Sequence, residues 1–110
     1  MTTKALHQVL HDPQLLLAVT AFLVDVRIED GRAVGLVYAD VLERFTDGQR
    51  IRTGRIQQIR RLKGFWTIRT VNYSRYLIVS FERDNGLATF ADFVWRRLFA
   101  EADPPPSSLQ

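Results

Sequence analysis

The stretch VTAFLVDVRIEDGRAVGLVYADVLERF, residues 19–45, decides the fold. Phe22, Val24, Val26 and Ile28 alternate with Leu23, Asp25, Arg27 and Glu29. A period of two is that of a strand with one face on a core. Asp30-Gly31 follows as a hairpin signal, because glycine takes positive φ without a steric cost. The return strand is expected over 33–45. A competing reading carries a helix from Asp12 to about Val24. The alternation continuing through Ile28 favours a strand from Val19.

Upstream, Thr3 is a candidate cap for a helix through Leu10, with Leu6, Val9 and Leu10 on one face. Asp12-Pro13 predicts a second helix of one or two turns. Aspartate suits the cap, and proline suits the first helical position, where no N–H is needed.

Downstream, Thr46-Asp47-Gly48-Gln49 reads as a turn into a strand alternating Arg50, Ile51, Arg52 and Thr53. Gly54 interrupts that strand and suggests a bulge or bend. Ile56 and Ile59 are three apart, so either a bulge near Gln57-Gln58 restores the register or the segment is irregular. Leu62-Lys63-Gly64 is the next turn. Phe65 to Val71 form a strand with Trp66, Ile68 and Thr70 on one face. Asn72-Tyr73-Ser74 turns into a last strand, Tyr76 to Phe81, with Leu77, Val79 and Phe81 on one side. A helix follows, with Thr89 and Asp92 resembling a capping box. Its expected inward stripe is Leu87, Phe90, Ala91, Val94 and Leu98.

This order predicts an α+β fold. It is a bent antiparallel meander, or partly open small barrel, of five to six strands, with a short N-terminal helical segment and a packed C-terminal helix. One domain is expected over 1–102, with a polar Pro/Ser-rich tail over 103–110.

Charge is distributed unevenly. The net charge is +3. Residues 46–85 hold nine basic and three acidic side chains, whereas 1–45 hold four basic and six acidic. Between Arg50 and Arg75 no acid interrupts Arg50, Arg52, Arg55, Arg60, Arg61, Lys63, Arg69 and Arg75. Phe65, Trp66, Tyr73 and Tyr76 lie among them. On exposed strands, such cations contact phosphates while aromatics stack on bases. The expected nucleic-acid or anion site is therefore those eight cations with Tyr73. The plainer reading makes them outward residues paired with Asp25, Glu29, Asp40 or Glu43, and protecting strand edges.

The C-terminal helix is apolar around most of its circumference. Phe93, Trp95 and Phe99 are candidates for a protein partner interface or for self-association.

Other chemistry has little support. There is no cysteine, which excludes disulfides, thiolate metal sites and cysteine nucleophiles. His7 and His11 have metal-ligand spacing, but no third histidine follows and Asp12 is better explained as a cap. No Gly-rich phosphate loop is present, and neither a catalytic triad nor a carboxylate pair is favoured. The expectation is a non-catalytic binding protein without cofactor, metal or small-molecule substrate. The longest apolar run, Leu15 to Val24 broken by Thr20, is too short to span a bilayer as a helix. No signal-peptide plan opens the chain, so a cytoplasmic location and no membrane partner are expected.

Phe45-Thr46-Asp47-Gly48-Gln49-Arg50-Ile51-Arg52-Thr53-Gly54 resembles a hairpin of small uncharacterised phage and plasmid proteins. Thr70, Asn72, Ser74 and Tyr76 are similar to its paired segment. Those proteins commonly carry Ser at the position of Gly54, and their Asn and Ser are adjacent, whereas Tyr73 separates them here. The resemblance covers roughly a third of the chain. It implies a mobile-element origin and accessory binding roles, including inhibition of host defence complexes.

Overall fold

A computed structural model of the chain describes residues 2–102, and the side chains of 4–99. The order is α1 (Thr2–Leu10), α2 (Pro13–Ala18), β1 (Ala21–Glu29), β2 (Arg32–Tyr38), β3 (Gln49–Leu62), β4 (Phe65–Thr70), β5 (Arg75–Ile78) and α3 (Gly86–Ala102). The fold is α+β, as expected. The expected tail lies outside the described residues.

The five strands close into a ring in sequence order. Each consecutive pair is antiparallel. An odd number of alternating strands brings the first and last together in the same direction. Closure is accordingly parallel, Ala21–Leu23 against Tyr76–Ile78. Two hairpins turn on consecutive left-handed residues, Asp30 (φ 52°) with Gly31 (φ 74°), and Lys63 (φ 50°) with Gly64 (φ 85°). That geometry matches strand twist in a two-residue turn.

Asp12 caps α2 by accepting the Gln14 N–H at 3.0 Å, with Pro13 at the first turn. The helix ends at Ala18, so the longer helical reading fails. α1 begins at Thr2, which places Thr3 inside the helix and not at its cap.

The face expected for β1 is corrected by a bulge. Asp25 takes φ 56°, and the register with β2 shifts between Val24 and Arg27. The extra residue moves the following side chains to the other face. Ala21, Leu23, Val26 and Ile28 therefore enter the interior core, while Phe22 faces outward. Outside the ring, Phe22 and Leu77 form a second cluster with Val9, Leu15 and Val19 from the N-terminal segment.

β2 stops at Tyr38, well short of Phe45. Asp40 accepts the N–H groups of Leu42 and Arg44, and Ala39 donates to Asp47. These bonds satisfy the backbone in a turn where a ladder was expected. β3 runs unbroken through Gly54, with an extra residue there against β2 and another beyond Ile56 against β4. Two bulges bend one long strand around the ring.

β5 is also shorter than expected. Beyond Ile78 the chain steps past the Asp25 bulge, where Ser80 Oγ accepts the Asp25 N–H and Ser80 O accepts that of Val26. Phe81 then pairs only with Val26 and packs on the interior core, whereas Leu77 and Val79 join the outer cluster. The three do not share a side.

α3 closes one side of the interior with Phe90, Phe93 and Val94. Trp66 and Phe81 pack on Phe90 at ring separations of 5.3 and 5.1 Å. The expected stripe is rotated, because Leu87, Ala91 and Leu98 face outward. Two contacts set that rotation. Gly86 touches β1 so closely that a Cβ would collide with the Val26 carbonyl oxygen. Thr89 Oγ1 accepts the Ile28 N–H at 2.8 Å and donates to Gly86 O. Thr89 thus lies within the first turn, tying helix to strand, and is not the cap.

Candidate functional site

Directly paired residues on neighbouring strands share a face. Leu77 is outward, and it pairs with Thr67, which pairs with Arg60. Two residues along, Arg69 pairs with Arg75 and with Gln58, so both arginines are outward too. Arg50 and Arg52 flank the inward Ile51 and lie on the outer face. The ring interior is an apolar core, and Arg50, Arg52, Arg60, Arg69 and Arg75 decorate its outside, whereas Arg61 pairs with the inward Trp66.

The run separates into three groups. Arg50 and Arg52 sit at the start of β3. Arg60, Arg61 and Lys63 sit at its far end. Between them, the turn from β4 to β5 holds Arg69, Tyr73 and Arg75. Arg55 lies alongside this turn, its carbonyl accepting the Val71 N–H. Arg50 pairs with β2 and lies eight residues along the bent β3, about 26 Å of contour at strand rise, from the partner of Arg69. The four arginines Arg50, Arg52, Arg69 and Arg75 therefore do not converge.

Their partners differ as well. Arg52 meets Asp30 at 3.3 Å, with both side chains largely exposed. Arg55 donates to the Asp30 carbonyl at 3.5 Å. Lys63 binds Asp12 at 3.0 Å and, with the Gln14 N–H, holds that carboxyl below its usual range. Arg61 stacks over Trp66 at 4.5 Å. Glu29 and Asp40 are engaged by Arg27 and Arg44 instead of by the run. Among the described residues, the side chains of Arg50, Arg60, Arg69 and Arg75 form no hydrogen bond or ion pair.

The middle group has the most distinctive geometry. Tyr73 is 76% exposed at a left-handed position, φ 66°. The Arg69 guanidinium lies 5.5 Å from its ring centre. Arg75 is directly opposite Arg69. Thr70 O accepts the Tyr73 N–H, and Ser74 O accepts that of Thr70, which holds the turn in shape.

Beneath this turn lies a network that sequence reasoning missed. Asp40, whose side chain is only 1% exposed, binds Arg44 at 3.0 Å. Arg44 also donates to Ser74 Oγ at 3.0 Å and to the Tyr76 hydroxyl at 3.4 Å. Burial would raise the Asp40 carboxyl. The Arg44 guanidinium and the two backbone N–H donors outweigh it and hold the carboxyl below its usual range. Asp40 in turn raises Arg44. The four-residue spacing of Asp40 and Arg44 is the available signal, but it lies in a segment whose composition predicts strand.

The helix candidates part company. Phe93 packs on the core beneath Arg97, 5.7 Å from its ring centre. Trp95 and Phe99 are 65% and 60% exposed and stack at 6.2 Å. His11 Nδ1 bonds the His7 carbonyl at 2.7 Å, and no group of three metal-ligating side chains occurs among the described residues. No helix among them is long and apolar enough to cross a membrane.

Compared with known proteins, the chain matches no family model, no curated protein and no solved structure.

Proposed function

We propose that this chain is a non-catalytic binding protein that holds single-stranded nucleic acid on the β4–β5 turn. Exposed Tyr73 beside Arg69, with Arg75 facing that arginine, carries the reading. The tyrosine ring offers a π-face to a base, and the Arg75 guanidinium and the outer N–H groups of Arg69, whose Nε is buried, have no hydrogen-bond partner among the described residues to compete with flanking phosphates. The Arg55 guanidinium points away from this turn, to the Asp30–Gly31 hairpin, and adds only to the field around it. Arg50, Arg52, Arg60, Arg61 and Lys63 add a wider positive field that raises encounter rates without fixing register. A platform of this kind reads no sequence, so binding should tolerate any base.

The test is fluorescence anisotropy with mixed-sequence single-stranded and duplex oligonucleotides at low salt. Single strands should bind better, and affinity should fall steeply as salt rises. Tyr73→Ala should weaken binding about 5- to 100-fold, the cost of one lost stacking contact. Absence of binding to any nucleic acid at low salt would end the proposal.

A further inference from the structure

α3 has a second apolar face that the other described residues leave uncovered. Leu87, Trp95, Leu98 and Phe99 are 59%, 65%, 56% and 60% exposed, and Ala91 is exposed among them. The N-terminal helices do not reach it, since they pack on the outer cluster of Phe22 and Leu77. Beside the ridge of Trp95 runs a groove of about 300 Å³ lined by Trp66, Leu87, Phe90, Ala91, Val94 and Leu98. A large knob and an apolar hole thus share one surface.

We propose that the occupant of this face is a second copy of the chain, docked with the two α3 helices antiparallel. The order of side-chain sizes is what points to self-pairing. A two-fold axis crossing the helix near position 93 sets Ala91 opposite Trp95 of the other copy, small against large. The same axis sets Leu87 opposite Leu98 and Phe99. Each Trp95 then fills the groove above the other copy's Ala91, and both halves of the contact are satisfied by one patch. An isologous interface requires that self-complementarity.

The rim agrees with this arrangement. Asp92 and Arg96 flank the stripe and pair with each other at 2.8 Å. Reversing the helix sets each near its opposite on the second copy. Area is sufficient but modest. The four large side chains expose roughly 500 Å² per copy, taking each as roughly 150–250 Å² when fully exposed, so two copies bury about 1,000 Å². That is the lower edge for a specific interface, so the dimer should dissociate on dilution.

Sedimentation velocity on the full chain, from about 1 to about 100 µM, spans the range in which so small an interface titrates. The mass should rise from 12.7 kDa to twice that value. Trp95→Ala should raise the dissociation constant at least about 30-fold, as loss of a central aromatic anchor does. Ala91→Lys, which fills the hole with a charge on an exposed helical position, should do the same. Both variants should keep the wild-type melting temperature at the lowest concentration. A monomer throughout the range overturns the proposal, as does a dimer indifferent to both substitutions. A chain that dimerises only after removal of 103–110 overturns it too, because its own tail would then be the occupant.

Discussion

Arg44 and Arg75 meet the same turn, the first by a hydrogen bond to Ser74 and the second as the next residue in the chain. Arg44 has its guanidinium committed to Asp40, Ser74 and Tyr76, and it lies over Phe45 at 5.0 Å. Arg75, with Arg69 across from it, gives the fold no side-chain hydrogen bond among the described residues. Both positions are arginine, and composition cannot tell them apart. The destination of the N–H groups can. A guanidinium saturated by a buried carboxylate belongs to the architecture, and one left with its donors free belongs to the surface field.

Three experiments press on that contrast. Asp40→Ala should have the largest effect, lowering stability by about 2–3 kcal/mol in urea unfolding. It removes an ion pair and two backbone N–H acceptors beneath a partly shielded arginine. A loss below about 1 kcal/mol would place the pair with ordinary surface bridges. Acid should expose the same contact. The folded Asp40 carboxyl sits below its unfolded value of about 3.9, so its contribution is complete above that pH. The contribution is lost as pH falls through the folded pKa. Asp40→Asn should therefore flatten the acid limb of the stability profile, and an unchanged limb would assign that limb to other carboxylates. The smallest effect is expected for Arg69→Ala combined with Arg75→Ala. Stability should change by less than about 0.5 kcal/mol, while the salt slope for single-strand binding should drop by about 1.4. A large loss of stability here would erase the distinction between the two kinds of arginine.

Legibility in the sequence followed the strength of local signals. Asp12-Pro13, Asp30-Gly31 and Lys63-Gly64 punctuate the chain where they were expected to, because each is decided by backbone sterics within a few residues. The bulge beyond Ile56 was readable because Ile59 had to return to the core. The Asp25 bulge was not. Phe22, Leu23 and Val24 are all buried, so period two gave no contrast between faces. Gly86 and Thr89 had to meet β1 before the rotation of α3 was defined, and the 61 residues separating Thr89 from Ile28 carry no local trace of that meeting. Within the basic run, alternation correctly put Arg50 and Arg52 on one face. Grouping Arg69 with Tyr73 and Arg75, and apart from Arg50, required the pairing register of β3, β4 and β5.

The parallel seam between β1 and β5 governs when the molecule can be finished. Its partners, Ala21–Leu23 and Tyr76–Ile78, lie far apart in the chain. Without β5, a sheet of β1 to β4 has two bare edges, on β1 and on β4, which invite pairing with neighbouring chains. Only when Ile78 has emerged can the ring close and both edges vanish. A chain that ends before β5 should accordingly be lost to aggregates. Long-range closure of this kind also slows folding, because the entropy of a large loop must be given up before the last strand makes its contacts.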